Sequence, residues 1–88
     1  MIALVADHGE EFQEHGGWWH GTTLYDEQIF VPLLIKWAKG RAPLVDDGGI
    51  ARIIDVAPTL IARAGAQAPE SMQGVDLAAG PRSPKDLE

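Results

Sequence analysis

An uninterrupted apolar run, residues 1–6, opens the chain and stops at an Asp-His pair. A run without alternating polar residues is typical of a strand covered on both faces, as in a parallel sheet with helices on either side. A second run, residues 31–37, has Pro32 near its start, where a strand tolerates a missing backbone donor. Together the two runs predict an α/β fold built on a parallel sheet.

The longer of two expected helices spans residues 55–64. Asp55 is its expected N-cap, Pro58 lies in its first turn, and Gly65 follows its end. These are the residue types that begin and end helices, so both boundaries of this helix are predicted from the sequence.

The segment after the first strand, residues 7–21, is expected to be a long structured loop, because glycines interrupt it repeatedly. A short helix that runs through Gln28 is expected to follow. The hydroxyl of Thr22 or Thr23 is expected to cap this helix, since a threonine oxygen accepts from the free amides of the first turn. A further loop is predicted over residues 38–49.

Eighty-eight residues leave room for one small domain. Two or three strands and two helices cannot cover both faces of a parallel sheet, so the missing strands are expected from residues that the chain lacks. Residues 80–88 are rich in proline and charge and are expected to form a disordered tail. We therefore interpret residues 1–79 as part of a truncated domain.

Charge and composition exclude several classes of partner. The formal net charge of −6 argues against nucleic acid or an anionic membrane surface as the main partner. No apolar stretch reaches the roughly 20 residues that a membrane-spanning helix needs. The chain contains no cysteine, which excludes disulfides and leaves its compartment open, as the sequence also leaves its oligomeric state open.

Asp7 and His8 stand where the first strand is expected to end, and ligands collect beyond the carboxyl ends of the strands in open α/β sheets. A carboxylate beside an imidazole offers an oxygen and a nitrogen donor, a pair suited to a divalent cation. Gly9 permits the sharp turn that brings both side chains to one point. The alternative is structural: Asp7 caps the following turn and His8 only packs beside it.

His20 lies in a glycine-rich stretch thirteen positions after Asp7, so the loop can return it to the Asp7 and His8 end. There it can donate a hydrogen bond to an anionic oxygen, or protonate a leaving group near neutral pH. The alternative is an exposed loop imidazole without a role in chemistry. His15 lacks such an argument and is interpreted as structural.

The remaining polar and aromatic side chains of the loop have simpler interpretations. Trp18 and Trp19 are candidate walls of a pocket for an aromatic or sugar substrate, but large aromatic side chains more often only pack. Packing is the preferred interpretation for Trp19 and stays open beside the pocket for Trp18. Three carboxylates are interpreted as a solvated face or as acceptors for backbone amides, and not as general acids or bases: Glu10, Glu11 and Glu14.

Several sequence motifs, taken in order, resemble those of the sulfatases of the alkaline-phosphatase superfamily. "ALVADHGEEFQEHGGWWHGTTLYDEQIFVPLLIKW" is similar to the distal active-site segment of these enzymes, in which a strand ends in Asp-His-Gly-Glu. "IIDVAPTLIARAG" resembles their next block and "MQGVDL" the word after it. The resemblance covers residues 2–77. It implies an alkaline-phosphatase-like mixed sheet sandwiched by helices, of which residues 1–79 are a C-terminal part.

The resemblance implies a hydrolase of sulfuric esters. Asp7 and His8 match two ligands of its metal, which is calcium or, in some relatives, manganese. His20 matches the Lys or His that contacts the sulfate and helps to protonate the leaving oxygen. Glu10 and Asp26 match motif positions that we take to be structural.

The resemblance also implies active-site groups that these 88 residues do not contain. The family's nucleophile, a formylglycine made from cysteine or serine, and the paired aspartates that complete the metal site normally precede this segment. We therefore expect a fragment that is inactive by itself, from an enzyme of small-molecule sulfate esters. Two alternatives stay open: a phosphonate or phosphate ester hydrolase of the same superfamily, and a non-catalytic fragment. Trp19 stands where many relatives carry glycine, which implies a narrower pocket.

Overall fold

The computed structural model describes residues 1–40 and 49–79. The chain divides into two compact units. The N-terminal unit is Ile2–Lys36, and the C-terminal unit is Trp37–Glu88 together with Met1. The predicted tail at 80–88 and most of the predicted loop at 38–49 lie outside the described residues.

Two strands, β1 (Ile2–Val5) and β4 (Leu33–Lys36), form the larger sheet of the N-terminal unit. Both were predicted from their apolar runs, but the predicted parallel orientation is wrong. The strands pair antiparallel, from Ile2 opposite Lys36 to Val5 opposite Leu33. An apolar run indicates that a strand is buried and does not encode the direction of its neighbour, so the sequence pattern could not distinguish the two orientations.

The faces of this sheet are open. Ile2 is 64% exposed, Leu4 62% and Leu34 58%. Apart from Pro58, the residues at 1–40 and 49–79 bury no apolar side chain. The side chains that are buried are polar or charged: Glu11, Gln28, Asp55 and Thr59. Within the described residues, hydrogen bonds to these four side chains therefore take the place of an apolar core.

The predicted loop at 7–21 contains a small hairpin, so the loop prediction was wrong at its strand residues. Its strands are β2 (Glu11–Phe12) and β3 (Trp18–Trp19), paired antiparallel. The backbone N–H of Gln13 donates to the carbonyl of Gly17 at 2.9 Å and closes the turn. Strands of two residues are too short to show an alternating pattern, so the sequence gives no strand signal here.

A single helical turn, α1 (Asp26–Ile29), ends before β4. The prediction that Thr22 or Thr23 caps it is wrong, because Tyr25 occupies the N-cap position and no side chain caps the turn. The Thr23 hydroxyl instead accepts a hydrogen bond from the Gln28 side-chain amide. No helix in the described part of the chain is long and apolar enough to cross a membrane.

The C-terminal unit contains the predicted longer helix, α2 (Val56–Arg63), which follows a 3-10 turn at Ile53–Asp55. Its predicted end is confirmed, since Gly65 adopts a φ of +81° just beyond it. Asp55 stands at the N-cap as predicted, but its carboxylate does not cap α2. One carboxylate oxygen accepts from the N–H of Arg52 at 2.9 Å and the other from the N–H of Val75 at 2.9 Å.

Hydrogen bonds join α2 to the segment at 74–77. The Thr59 hydroxyl donates to the Asp55 carbonyl at 2.6 Å and accepts from the N–H of Leu77 at 2.9 Å. At Gly74, a Cβ atom would lie 1.9 Å from the carbonyl oxygen of Ile54, so only glycine fits. The two motifs "IIDVAPTLIARAG" and "MQGVDL" are therefore joined by hydrogen bonds.

Candidate functional site

Asp7 and His8 directly follow β1. The Nδ1 of His8 lies 2.7 Å from the Gly9 carbonyl oxygen. Because a carbonyl only accepts, Nδ1 carries the proton and the lone pair is on Nε2. The Oδ1 of Asp7 lies 3.7 Å from that Nε2, and the Asp7 side chain is 91% exposed. The pair therefore presents one oxygen and one nitrogen donor close together at the end of the strand.

Gly9 fixes the backbone behind this pair. Its N–H donates to the carbonyl of Gln28 at 2.8 Å. A Cβ atom at Gly9 would lie 2.0 Å from the carbonyl oxygen of Glu27, so α1 can approach only a glycine this closely. The sequence interpretation placed a sharp turn at this glycine, whereas the structure shows that close backbone approach is what excludes a side chain.

The structure brings His20 to the same end of β1. Its ring stacks on the ring of His8, with centroids 3.7 Å apart and an interplanar angle of 21°. The Nδ1 of His20 lies 3.1 Å from a carboxylate oxygen of Glu10. A carboxylate accepts from Nδ1–H, so Glu10 orients the ring and leaves Nε2 as the nitrogen that can reach a ligand.

The buried carboxylate of Glu11 joins the loop to α1. Only 1% of Glu11 is exposed. One oxygen accepts from the backbone N–H of Gly17 at 2.8 Å and of His15 at 3.2 Å, and the other accepts from the Gln28 side-chain amide at 3.0 Å. The Gln28 side-chain oxygen in turn accepts from the N–H of Gly21 at 3.1 Å. Both flanks of His20 are thus tied to one buried pair.

Sequence reasoning missed this pair as a positioning element. Of the two interpretations offered for the loop carboxylates, the amide acceptor is correct for Glu11, and also for Glu14, which accepts from the N–H of Phe12. The partner Gln28 lies 17 positions away from Glu11, and no local pattern predicts that contact. The one available signal was a glutamate followed by glycines, whose amides lack secondary-structure partners.

The two tryptophans of β3 differ in their surroundings. Trp18 is 51% exposed and packs edge-to-face against Phe12, with ring centroids 6.4 Å apart. Trp19 is 69% exposed, so the expectation that it simply packs is wrong for the described residues. Its φ of +75° lies in the left-handed region that favours glycine. This agrees with the glycine that the resemblance implies at this position in relatives.

His15 does not join the Asp7, His8 and His20 group. Its ring stacks on Tyr25, with centroids 3.7 Å apart, and its Nδ1 hydrogen-bonds to Glu27. Ligand atoms of His15, Glu27 and Glu11 all lie within 4.8 Å of one another, so these residues form a second possible metal group. It is the weaker of the two, because Glu11 is buried and three N–H donors occupy its oxygens, whereas Asp7, whose Oδ1 accepts from the backbone N–H of His8 at 3.1 Å, has an exposed carboxylate.

Because His15 and Glu27 form a hydrogen-bonded pair, we expect the loop at residues 9–28 to lose stability in acid. Burial acts to raise the pKa of Glu27, but the hydrogen bond from His15, a backbone hydrogen bond and the His15 charge together hold it below its usual 4.5. A lowered folded-state pKa means that ionised Glu27 stabilises the loop above pH 4.5, and that this contribution is lost as pH falls through the folded value. In Glu27→Gln, amide exchange across residues 9–28 is expected to lose part of its acid dependence.

The exposed carboxyl of Glu70, in the other unit, supplies the control for that measurement. Glu70→Gln is expected to leave the acid dependence of exchange at residues 9–28 as in the wild type. If amide exchange at residues 9–28 of Glu27→Gln depends on acid pH as it does in the wild type, the Glu27 carboxylate does not stabilise the loop.

Comparison with known proteins identifies the family. Residues 13–82 match the protein family described as N-sulphoglucosamine sulphohydrolase, C-terminal. The chain belongs to the sulfatase family. The resemblance to sulfatases inferred from the sequence motifs is therefore confirmed. The sulfatase match includes His20 and both words of the C-terminal unit, and it begins after Asp7 and His8.

One curated sulfatase shows the same relationship over most of the chain. N-acetylglucosamine-6-O-sulfatase of Bacteroides thetaiotaomicron is 31% identical over 77 residues, which are 88% of this chain and 14% of that enzyme. The chain thus spans a small part of the length of this relative. No solved structure matches the chain, so the sulfatase assignment comes from sequence comparison, while the small mixed α/β structure is compatible with it.

Proposed function

We propose that this chain is a C-terminal segment of the catalytic domain of a sulfate ester hydrolase. One observation carries the proposal: in a sulfatase-family chain, the His20 ring stacks on His8 and thereby lies beside the Asp7 and His8 donors. A nitrogen donor beside two groups suited to a divalent cation is an arrangement that supports the hydrolysis of an anionic ester. The proposal of a longer domain is supported by the chain's 14% share of the relative's length, and the C-terminal position by the description of the matching family.

Asp7 and His8 fit a divalent cation, for which we propose calcium, with manganese as the alternative. Their donor atoms are 3.7 Å apart, and His8 donates its other ring N–H to a backbone carbonyl, as metal-binding histidines commonly do. Calcium takes about 6–8 ligands, so other residues of the domain would complete the site. A cation bound here would supply positive charge to the anionic oxygens of the ester.

His20 is proposed to contact the sulfate and to donate a proton to the leaving oxygen. Glu10 holds its Nδ1 at 3.1 Å, so Nε2 is the atom that faces the ester in this role. Its protonated ring would donate from Nε2 while Nδ1–H stays bonded to Glu10. The carboxylate therefore keeps the donor aimed during the reaction. Trp18 is proposed to line the same pocket, because it lies on β3 two residues before His20 and is half exposed.

The proposed substrate class is supported by two names. The matching family is described as N-sulphoglucosamine sulphohydrolase, C-terminal, and the curated relative is an N-acetylglucosamine-6-O-sulfatase. We infer a sulfated amino sugar as the substrate of the complete enzyme. The nucleophile, proposed to be a formylglycine, would come from a part of the domain outside these 88 residues, since the resemblance places the cysteine or serine that forms it before this segment.

The test uses the full-length protein that contains this chain. Its turnover of the sulfate and the phosphate ester of one phenol, and of 6-O-sulfated N-acetylglucosamine, is measured side by side. We expect the two sulfate esters to be preferred, and the 88-residue chain alone to give no turnover above background. Preference for the phosphate ester would instead support the phosphoester hydrolase of the same superfamily. No turnover of any of these esters by the full-length protein would support a non-catalytic role.

A further inference from the structure

We propose that Gln28 is a positioning residue for ester hydrolysis, which holds the His20 ring against His8 and so keeps the proton donor beside the Asp7 and His8 donors; this rests on the function proposed above. Gln28 lies in α1 and is 4% exposed. Its main chain and its side chain hydrogen-bond to two different segments of the site. Gln28 therefore acts through the backbone that carries the two imidazoles.

The two hydrogen bonds to Gln28 start from equivalent places in the backbone. The N–H of Gly9 belongs to the peptide group that follows His8, and it donates to the main-chain carbonyl of Gln28 at 2.8 Å. The N–H of Gly21 belongs to the peptide group that follows His20, and it donates to the Gln28 side-chain oxygen at 3.1 Å. One residue thus holds the backbone next to both rings, whose centroids lie 3.7 Å apart.

The side-chain amide of Gln28 can make its contacts in one orientation only. Its nitrogen donates to the buried carboxylate of Glu11 at 3.0 Å and to the hydroxyl of Thr23, and these two bonds use both of its N–H groups. Its oxygen accepts from the N–H of Gly21. A rotated amide would place its N–H groups opposite the Gly21 donor and its oxygen opposite the carboxylate. The amide therefore holds the His20 backbone in a single arrangement.

Substitution of Gln28 removes only one of the two contacts, because the carbonyl that holds Gly9 belongs to the main chain. Gln28→Met keeps the length of the side chain but leaves the N–H of Gly21 without its acceptor. In the full-length protein we expect kcat for sulfate esters of poor leaving groups to fall about 10–100-fold, since a misplacement of about 1 Å can cost about 10²-fold. The loss should shrink for esters of acidic phenols, while KM and bound metal should stay at their wild-type values.

Exchange of the two buried side chains tests the hydrogen bonds themselves. Gln28→Glu alone places two carboxylates against each other, and Glu11→Gln alone turns two sets of N–H donors toward each other. The double variant Glu11→Gln/Gln28→Glu keeps the contacts, since the amide introduced at position 11 donates to the carboxylate at position 28, which still accepts from Gly21. We expect each single variant to lose activity on poor leaving groups and the double variant to recover most of it.

Gln13→Met is the matched control, because it makes the same change at an exposed glutamine of the hairpin, and it should match the wild type. Equal losses on good and poor leaving groups in Gln28→Met, wild-type kinetics in that variant, or loss of its bound metal would overturn the proposal. So would a double variant no more active than Gln28→Glu. If Gln28→Met does not fold, the comparison of Gln28→Glu with the double variant decides the same question.

A nuclear Overhauser effect between the ring protons of His8 and His20, measured by NMR in full-length protein with labelled histidine, tests Gln28 without any turnover. We expect this signal in the wild type, in Gln13→Met and in the double variant, and its loss in Gln28→Met. If the wild type hydrolyses no sulfate ester but the signal follows this order, the proposed function fails and the hold of Gln28 on His20 stands. If the enzyme is active and the signal persists in Gln28→Met, the positioning role alone is wrong.

Discussion

His20→Ala is expected to slow sulfate ester hydrolysis by the full-length protein about 10²–10⁴-fold, the usual contribution of a positioned general acid. The loss should fall mainly on kcat, because the proton is needed as charge develops on the leaving oxygen. It should shrink for esters of acidic phenols, whose leaving oxygen needs less protonation. Rates measured against the pKa of a series of phenol leaving groups test this directly.

His15→Ala is the matched control, since His15 lies in the same loop but stacks on Tyr25 instead of His8. It should leave the dependence on leaving-group pKa unchanged. A uniform loss across good and poor leaving groups in His20→Ala would contradict the proposed role, and so would loss of bound metal in that variant.

Asp7→Ala and His8→Ala are expected to lower activity by at least about 10²-fold. Loss of a metal ligand lowers activity more than loss of a residue that only hydrogen-bonds to the ligand. Excess calcium should restore part of this activity, since each substitution acts by lowering the fraction of protein that has metal bound. The Asp7 side chain is 91% exposed, so its truncation removes little packing and the fold should be kept. Activity measured across a calcium titration, with bound metal determined in parallel, gives the result.

Asp26→Ala is the control for these two variants, because Asp26 is an exposed aspartate of the same unit with an assigned structural role. It should need no added calcium. Activity in Asp7→Ala that is lost and does not respond to any metal would place Asp7 outside the metal site.

The sequence predicted the elements of the fold better than their arrangement. The runs of β1 and β4 and the boundaries of α2 are local signals, and the structure has all three. The antiparallel pairing of the two strands is not local, because it depends on where the intervening hairpin and α1 return the chain. The buried polar side chains were also not predicted, since burial of Glu11 depends on its distant partner Gln28.

The candidate site shows the same division. Asp7 and His8 are consecutive at a strand end, so their proximity was predictable from position alone. The return of His20 was predicted only as something the glycines allow. The hydrogen bonds that hold it there come from Glu10, which sequence reasoning took as structural, and from the Glu11–Gln28 pair. The positive φ of Trp19 has no sequence signal beyond the glycine that the resemblance implies at this position.

Metal content decides most directly whether the account of this site is right. The full-length protein, its Asp7→Ala variant and its His15→Ala variant are equilibrated with calcium, and bound metal is measured by elemental analysis. Asp7→Ala is expected to lose the metal and His15→Ala to keep it. The reverse result would place the metal at the His15, Glu27 and Glu11 group and would contradict the site proposed at Asp7 and His8.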